Sequence, residues 1–367
     1  MAADTAAPLP AGAGWTNRLA ASRRFQAFCS RVPGLRRVAR AEGAAIFDIM
    51  QGFVASQVLM ALVEMRLLHR LAEGPATPAT LAAGCGAPAA RIAVLVQAGA
   101  ALGLLRRRRD GSFALGRRGA AFLGVPGLEE MVRHHRVLYA DLADPAAFFR
   151  GETDPELARF WPYVFGAGAA TDPEAAARYS RLMADSQTLV AEETLAQVPL
   201  AGITHLMDVG GGTGAFLRAV RARAPVIRLT LFDLPAVVAA AALPADVERV
   251  GGSFRDDPLP VGADAISLIR VLYDHADPTV AALLAAVHAA LPPGGRLILS
   301  EPMSGGAKPD PQTDVYFSVY TLAMQTGRTR SADEIAGLLT DAGFVSIRKY
   351  SPQRPFVTCA ITAQKAG

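Results

Sequence analysis

The apolar positions in the first third of the chain predict helices followed by a hairpin. Apolar residues recur at helical spacing over 46–71, which predicts a long helix that is buried or lies between subunits. Two shorter helices are expected to begin near residues 77 and 88, where cap-like residues precede apolar runs. Asp110 and Gly111 stand between two apolar-flanked runs, which is typical of a tight hairpin. Three helices and a hairpin together predict a winged helix.

The last part of the chain alternates between strand-like and helix-like patterns. Apolar runs bounded by turn residues predict strands over 205–209, 228–232, 247–250, 265–269, 295–300, 344–348 and 356–362. Because helical segments lie between most of these runs, we expect a mostly parallel, Rossmann-like sheet. The predicted fold class is therefore α/β, with a seven-stranded domain preceded by an all-helical or winged-helix domain.

These patterns divide the chain into four parts. They are a basic N-terminal arm over 1–40, a winged-helix-like dimerisation domain over 41–125, a helical connector over 126–195 and the α/β domain over 196–367. The connector holds two adjacent histidines, His134 and His135, and a dense aromatic group: Tyr139, Phe148, Phe149, Phe160, Trp161, Tyr163, Phe165 and Tyr179. Such residues usually pack in a core. A cleft for a large apolar substrate has the same composition, so both interpretations stay open.

Composition limits the functional classes. The 367 residues suffice for two domains with sizeable cores, and the formal net charge is +4. No window approaches the roughly 20 strongly apolar residues of a membrane span, and the N-terminus lacks the apolar core of a signal peptide. Cys29, Cys85 and Cys359 are odd in number and widely spaced, which fits neither a disulfide framework nor a zinc site. We therefore expect a cytoplasmic protein without a metal.

Positive charge is concentrated in the N-terminal arm. Seven arginines stand between residues 18 and 40, beside aromatic and aliphatic residues. Such a segment suits the surface of an anionic membrane, with apolar side chains inserted and arginines at the headgroups. It also suits a helix that docks on the body of the protein or on a second subunit, and this simpler interpretation is favoured. Peripheral membrane association is the second alternative.

A winged helix raises the alternative of DNA binding, because four consecutive arginines, 106–109, are available to contact phosphates. Successive strand residues point to opposite faces, however, so these arginines do not form one surface. The helix over 91–105 has only Gln97 as a polar residue after Arg91, whereas a recognition helix needs several donors. We therefore predict a homodimer and no binding of nucleic acid.

The strongest chemical signal is a glycine-rich turn at 210–214. Asp208 precedes it at the end of one predicted strand, and Asp233 ends the next strand. Glycine lets the main chain approach a ligand, and an acid at the second strand accepts ribose hydroxyls. A dinucleotide site needs G-x-G-x-x-G, but here the glycines are closer together. Because Asp208 would repel a phosphate and suits an ammonium group, S-adenosylmethionine is favoured over NAD.

Further motifs extend this pattern. They are Phe232-Asp-Leu-Pro235, Val250-Gly-Gly-Ser-Phe254, Arg270-Val-Leu-Tyr-Asp-His-Ala-Asp277, Leu291-Pro-Pro-Gly-Gly295 and Ser300-Glu-Pro302. With them, the chain over about 45–365 resembles class I S-adenosylmethionine-dependent O-methyltransferases of the winged-helix, plant-type group. Segments 158–165 and 252–258 further resemble the bacterial carotenoid enzymes of that group, the demethylspheroidene and hydroxyneurosporene O-methyltransferases.

The resemblance implies which residues bind the methyl donor. Gly210 would lie along its methionyl part, Asp233 would take the ribose hydroxyls, and Phe254 would stand beside the adenine. Arg270 would line the same pocket, and Ser186 would lie near the methionyl end. The full predicted set is Asp208, Gly210, Gly212, Gly214, Asp233, Leu234, Ser253, Phe254, Arg270 and Ser186.

The chain departs from the resemblance at the catalytic base. Plant-type enzymes carry His-Asp-Trp, whose histidine takes the proton of a phenol, whereas this chain has Tyr273, Asp274 and His275 there. The predicted catalytic residues are Tyr273 as acceptor and orienter, His275 as a base if it turns inward, and Glu301, which matches a bracing acid. Tyr273 as a pocket wall and His275 as a packing residue for the adenine stay open as alternatives. Thr329 stands where a second bracing acid is expected.

A tyrosine in the place of the histidine bears on the identity of the acceptor. Imidazole ionises a phenol well, but an aliphatic tertiary alcohol is far less acidic and loses its proton only as the methyl arrives. We therefore expect an O-methyltransferase for an apolar small molecule, the 1-hydroxyl of an acyclic carotenoid, which would fit peripheral contact with a photosynthetic inner membrane. The alternatives are a phenolic or other hydroxylated acceptor, and an inactive regulator that binds S-adenosylmethionine.

Overall fold

The computed structural model describes residues 12, 14–159 and 187–367. The chain falls into two compact units, residues 1–120 and 121–367. Several predicted residues lie outside the described ranges, namely Ser186, Phe160, Trp161, Tyr163, Phe165 and Tyr179.

The first unit is helical and contains one hairpin. Its elements are α1 (Trp15–Ala21), α2 (Arg23–Cys29), α3 (Pro33–Glu64), α4 (Leu67–Glu73), α5 (Pro78–Cys85), α6 (Ala89–Ala101), β1 (Leu105–Arg107) and β2 (Phe113–Leu115), with α7 (Arg117–Leu123) at the boundary. β1 and β2 pair antiparallel, with Leu105 opposite Leu115. Asp110 shapes the turn between them, because its Oδ1 accepts hydrogen bonds from the backbone N–H and the hydroxyl of Ser112. The structure confirms the predicted hairpin.

Helix α3 differs from the predicted one. It begins at Pro33, so it runs through the predicted end of the arm at residue 40, and it ends at Glu64. The chain breaks at Arg66, whose φ of 53° does not fit a right-handed helix. Because alanines extend its apolar run, α3 is long and apolar enough to cross a membrane, which corrects the expectation that no segment reaches that length. Its central part leaves an apolar stripe exposed: Ile46, Phe47, Ile49, Met50, Phe53 and Val54.

The second unit alternates helices and strands. Its helices are α8 (Leu128–Asp141), α9 (Pro145–Phe149), α10 (Glu156–Arg159), α11 (187–197), α12 (Ala215–Arg223), α13 (Pro235–Ala240), α14 (Asp277–Ala290), α15 (Thr313–Met324) and α16 (Ala332–Asp341). Its strands are β3 (His205–Val209), β4 (Arg228–Asp233), β5 (Glu248–Gly251), β6 (Ala265–Ile269), β7 (Arg296–Glu301), β8 (Phe344–Lys349) and β9 (Cys359–Lys365). A 3-10 turn, Leu272–Asp274, follows β6.

The seven strands form one sheet in the order β5-β4-β3-β6-β7-β9-β8. Neighbours from β5 to β7 are parallel, whereas β9 is antiparallel to both β7 and β8. From β3 the chain goes to β4 on one side and later to β6 on the other. Such a switch leaves a crevice at the carboxyl ends of the strands, where open α/β sheets bind ligands. The predicted seven-stranded α/β fold is confirmed, although the last strand begins at Cys359 rather than near residue 356.

The central strand β3 contributes to two cores because its side chains alternate. Met207 and Val209 join a buried cluster with residues of α14 and α16, whereas Leu206 joins a second cluster with residues of α11 and α12. Every residue of β3 is buried. This packing fixes the end of the strand, and with it the turn that begins there.

Candidate active site

The glycine turn lies between β3 and α12. Gly210, Gly212 and Gly214 have φ angles of 69°, 57° and 77°, in the left-handed region that glycine tolerates best. A Cβ on Gly212 would meet no atom within 4 Å, whereas a Cβ on Gly214 would overlap Leu243. Gly214 therefore permits the packing of the turn, and the open side of Gly212 leaves room for a ligand to approach the main chain.

Asp208 lies beneath this turn. It is 1% exposed, and its Oδ1 accepts a hydrogen bond of 2.6 Å from the hydroxyl of Ser267. Its Oδ2 is buried and has no partner among the described residues. Burial raises the pKa of Asp208 to about 7, and the bond from Ser267 opposes the rise. Because so little of Asp208 is exposed, we interpret it as a support of the turn, which differs from the direct contact with an ammonium group expected from the sequence.

Asp233, at the end of β4, is bonded across the turn. Its Oδ2 accepts a hydrogen bond of 2.7 Å from the N–H of Gly212, and its Oδ1 accepts one of 2.7 Å from the N–H of Leu234. These bonds fix the carboxyl and leave further lone pairs for two neighbouring hydroxyls. Burial raises the pKa of Asp233, and the two backbone bonds oppose this rise. The open turn and the fixed carboxyl fit the methionyl and ribose parts of S-adenosylmethionine.

Replacing Asp233 with alanine is expected to weaken the binding of S-adenosylmethionine by roughly 100-fold, because two hydrogen bonds to a charged group are lost. Isothermal titration calorimetry measures this directly. Asp246→Ala serves as the control, since Asp246 is an exposed partner of Arg221. Equal affinity of the Asp233→Ala variant and the wild type would remove Asp233 from the donor site.

The loops after β5 and β6 bring Phe254 and His275 together. Their ring centroids are 5.2 Å apart and the rings are nearly perpendicular, at 75°. Phe254 lies within a turn closed by Ser253, whose N–H donates to Asp257 at 2.8 Å and whose hydroxyl donates to Asp256 at 2.9 Å. Paired aromatic rings of this kind form a wall against which a flat base packs. The geometry is consistent with the predicted adenine side of the site.

His275 is poorly suited to act as a base. It is buried, and the guanidinium of Arg255 lies 3.0 Å from its Nδ1. Burial, followed by the charges of Arg255 and Arg330, lowers the pKa of His275 to about 4. Tyr273 lies within the 3-10 turn, whereas His275 follows it with an extended backbone (φ −124°, ψ 148°), so the two residues do not belong to one extended segment. The structure therefore favours the packing alternative for His275 over the base expected from the sequence.

The variant His275→Phe is expected to keep its kcat within about threefold of wild type, because phenylalanine preserves the ring contact with Phe254. Removal of a true general base would cost roughly 100-fold or more. The profile of kcat against pH tests the difference. A large loss of kcat in this variant, with the affinity for S-adenosylmethionine unchanged, would restore His275 as the base.

Two buried charged groups hold the turn that carries Tyr273. Glu301 is 1% exposed and accepts backbone hydrogen bonds from Leu272 at 2.7 Å and from Tyr273 at 3.4 Å. Arg330 donates to the carbonyl oxygens of Leu272 and His275, each at 2.8 Å. Burial raises the pKa of Glu301 to about 7, and the backbone bonds oppose this. Glu301 is therefore a positioning residue that braces the backbone of the turn, where the family resemblance implied the bracing of a histidine.

Tyr273 and Asp274 form a buried polar centre on this turn. Burial, with a further effect of Asp274, raises the pKa of Tyr273 well above 10, so its phenol keeps its proton at neutral pH. The Oδ1 of Asp274 is buried and has no partner among the residues that the structure describes. Burial and the charge of Glu301 raise the pKa of Asp274 well above its usual value. Of the two groups, Asp274 is the one able to take up a proton, and Tyr273 is suited to orientation.

Arg270, predicted to line the donor pocket, lies close to this polar centre. Its guanidinium donates to the carbonyl oxygen of Val357 at 2.6 Å, and its Cζ lies 5.3 Å from the centre of the Phe317 ring. Its charge lowers the pKa of both Tyr273 and Asp274, against the larger effect of burial. Arg270 therefore favours the charged form of Asp274.

Gly327, which the sequence did not mark as functional, lies against the same turn. A Cβ at this position would overlap the carbonyl oxygen of Tyr273 and backbone atoms as far as His275. A sequence does not show where two backbones approach closely, so the glycine itself was the one feature that could have indicated this contact. Nearby, the hydroxyl of Thr329 lies 2.7 Å from that of Ser318, where the resemblance implied an acid.

His134 and His135 connect α8 to α15. The Nε2 of His134 lies 2.7 Å from the hydroxyl of Tyr320, and the Nε2 of His135 lies 2.7 Å from that of Tyr316. Burial lowers the pKa of His134 to about 4, and it also lowers the pKa of His135. Both imidazoles are therefore neutral at neutral pH, and the buried His134 fits the core interpretation.

Across residues 12, 14–159 and 187–367, no group of three His, Cys, Asp or Glu side chains is placed to hold a metal ion. The predicted donor-binding residue Ser186 lies outside these ranges.

Comparisons with known proteins agree on one family. An O-methyltransferase domain matches residues 139–345, and an O-methyltransferase dimerisation domain matches residues 47–124. Demethylspheroidene O-methyltransferase of Cereibacter sphaeroides is 62% identical over 94% of this chain and 93% of its own length. The enzyme of the same name from Rhodobacter capsulatus is 55% identical over 98% of this chain and 92% of its own length. Human N-acetylserotonin methyltransferase, solved in complex with SAM, is 25% identical, covers 89% of this chain and 98% of its own, and has a TM-score of 0.75.

The matched domains account for both units of the structure. The dimerisation match lies almost wholly in the first unit and supports a homodimer, and the second match lies in the unit with the glycine turn. S-adenosylmethionine is the methyl donor of this family, and the turn with Asp233 fits it. The chain therefore belongs to the S-adenosylmethionine-dependent O-methyltransferases.

Proposed function

We propose that this chain methylates the 1-hydroxyl of an acyclic carotenoid, as in the conversion of demethylspheroidene to spheroidene. The observation that carries the proposal is the 62% identity with demethylspheroidene O-methyltransferase over 94% of the chain. The side chains of the 3-10 turn Leu272–Asp274 also suit such an acceptor. Tyr273 stands in the place of the histidine that suits a phenol, beside a buried carboxyl group, Asp274.

The low acidity of the acceptor hydroxyl determines what the protein must provide. When bound, S-adenosylmethionine supplies a methyl group that its sulfonium charge makes electrophilic. An aliphatic tertiary alcohol is too weak an acid to be ionised beforehand by a side chain, so its proton leaves as the carbon–oxygen bond forms. The protein must therefore align the hydroxyl, exclude water and hold an acceptor for the proton.

Asp274 is suited to be this proton acceptor. Its buried Oδ1 accepts the hydrogen bond of the acceptor hydroxyl and takes the proton during transfer, and its raised pKa favours that proton. The charge of Arg270 opposes this rise in pKa and so favours the carboxylate, the form that accepts the proton. Tyr273, which stays protonated, orients the hydroxyl oxygen, and Glu301 holds the turn through its backbone bonds.

An acceptor panel tests the proposed substrate. Wild type and Tyr273→His are incubated with labelled S-adenosylmethionine and either a detergent-dispersed acyclic 1-hydroxycarotenoid or simple phenols. We expect wild type to label the carotenoid, and Tyr273→His to gain activity on phenols, because histidine is the base that suits them. Labelling of phenols alone by wild type would favour the phenolic alternative.

We also infer a cytoplasmic location. Cys29, Cys85 and Cys359 are all free thiols. Free thiols persist in a reducing compartment, where disulfides are rare. Cell fractionation with a cytoplasmic and a periplasmic marker tests this inference, and recovery with the periplasmic marker would contradict it.

A further inference from the structure

The surface over residues 15–40, called the N-terminal surface below, combines strong positive charge with exposed apolar side chains. It consists of α1, α2 and the first turns of α3. Its seven arginines are all exposed, and no aspartate or glutamate lies between residues 15 and 40. They are Arg18, Arg23, Arg24, Arg31, Arg36, Arg37 and Arg40.

The apolar side chains of this surface are exposed as well. Trp15 is 71% exposed, Phe28 is 56% exposed and Val38 is 60% exposed, and Leu19 and Leu35 are each 39% exposed. α1 buries none of its residues, and α2 buries only Cys29. The described part of the arm therefore buries few of its side chains, whereas the simpler expectation from the sequence was docking on the body of the protein or on a second subunit.

A second copy of the chain is a poor occupant of this surface. Seven arginines, with no aspartate or glutamate in the same stretch of residues 15–40, make this surface positive, and it would repel the same surface of another copy. The dimerisation match begins only at residue 47, where the exposed apolar stripe of α3 offers an uncharged contact. The partner of the N-terminal surface must instead be anionic and must accept aromatic and aliphatic side chains.

We propose that the N-terminal surface binds anionic phospholipid membranes. A lipid interface accommodates both the positive charge and the apolar side chains of this surface. Arginines pair with the headgroups, while tryptophan and phenylalanine enter the boundary with the acyl chains. The proposal adds to the proposed function a route to an acceptor that dissolves in membranes. Its evidence is independent of the identity of that acceptor.

Flotation of the full-length protein with vesicles tests the proposal. One set of vesicles contains phosphatidylcholine alone and a second set also contains phosphatidylglycerol. We expect flotation with the second set only, and weaker flotation as salt increases. The quadruple variant Arg23→Gln, Arg24→Gln, Arg36→Gln, Arg37→Gln should bind far more weakly, by roughly fivefold for each arginine removed. The matched control replaces the four exposed arginines 106–109 with glutamine, removes the same charge and should float like wild type.

A second pair of variants separates insertion from simple charge attraction. Trp15→Ser with Phe28→Ser should reduce flotation, whereas Val226→Ser with Val261→Ser, which changes two other exposed apolar residues, should not. Methylation of a detergent-dispersed acceptor should be equal in all four variants. A failure of the proposed substrate would therefore appear only in the methylation assay, and a failure of the membrane proposal only in flotation.

Three results would overturn the membrane proposal. The first is equal flotation of the quadruple variant and its control. The second is dissociation of the dimer by the N-terminal substitutions, measured by light scattering. The third is a DNA mobility shift that the quadruple variant abolishes while wild type fails to float.

Discussion

Gly327→Ala is expected to reduce kcat by roughly 100-fold or more while leaving the affinity for S-adenosylmethionine nearly unchanged. The added Cβ would overlap the carbonyl oxygen of Tyr273 and the backbone that follows it. Because these atoms are backbone, no side-chain rotation relieves the overlap, and the turn with Asp274 must move. A displacement of about 1 Å of a reacting group is enough for a loss of this size. Steady-state kinetics and calorimetry with the methyl donor measure the two effects.

The matched control for this variant is Gly337→Ala. Gly337 lies within α16, and a Cβ there would meet no atom within 4 Å. Alanine at an exposed helical position should keep full activity and stabilise the protein by about 1 kcal/mol. Wild-type kcat in Gly327→Ala would show that the turn does not position the reacting groups.

Asp274→Asn is expected to reduce kcat by roughly 100-fold to 10,000-fold, the usual contribution of a positioned proton acceptor. Asparagine keeps the shape of the side chain but accepts no proton. In wild type, the rate should rise with pH through the raised pKa of Asp274, because the carboxylate is the accepting form. The variant should lose this rise. The profile of kcat against pH, measured with saturating methyl donor, tests both expectations.

Asp333→Asn is the control for Asp274→Asn. The side chain of Asp333 is 93% exposed and pairs with Lys349 on the surface. Surface ion pairs contribute little, so this variant should match wild type in both kcat and pH profile. If Asp274→Asn kept the wild-type profile of kcat against pH, Asp274 would be excluded as the proton acceptor.

Local patterns in the sequence predict much of the fold. Apolar runs bounded by turn residues locate the strands, and the glycines at 210–214 locate the main turn because positive φ excludes most other residues. The sequence did not predict the start of α3 at Pro33, since nothing breaks the helix before Met65 and its glycines, Gly34, Gly43 and Gly52, are tolerated within it. The change in composition at residue 40 is therefore a change of charge, not of structure.

The sequence predicted less of the candidate site where the position of a residue depends on contacts with distant parts of the chain. Asp233 belongs to a local strand–turn motif, and its placement fits the expected role. The orientation of His275 depends on a short 3-10 turn and on Arg255, neither of which follows from spacing. The contribution of Gly327 comes from contact with a backbone segment about fifty residues away, which no local pattern encodes.

We propose that this enzyme delivers a methyl group to an aliphatic hydroxyl while Asp274 accepts the proton. The most direct measurement is transfer of a labelled methyl group from S-adenosylmethionine to an acyclic 1-hydroxycarotenoid by wild type and Asp274→Asn, with the product identified by mass spectrometry. We expect a 1-methoxy product in wild type and a rate of transfer at least about 100-fold lower in the variant. Binding of S-adenosylmethionine without transfer to the carotenoid, or equal rates in the two proteins, would contradict it.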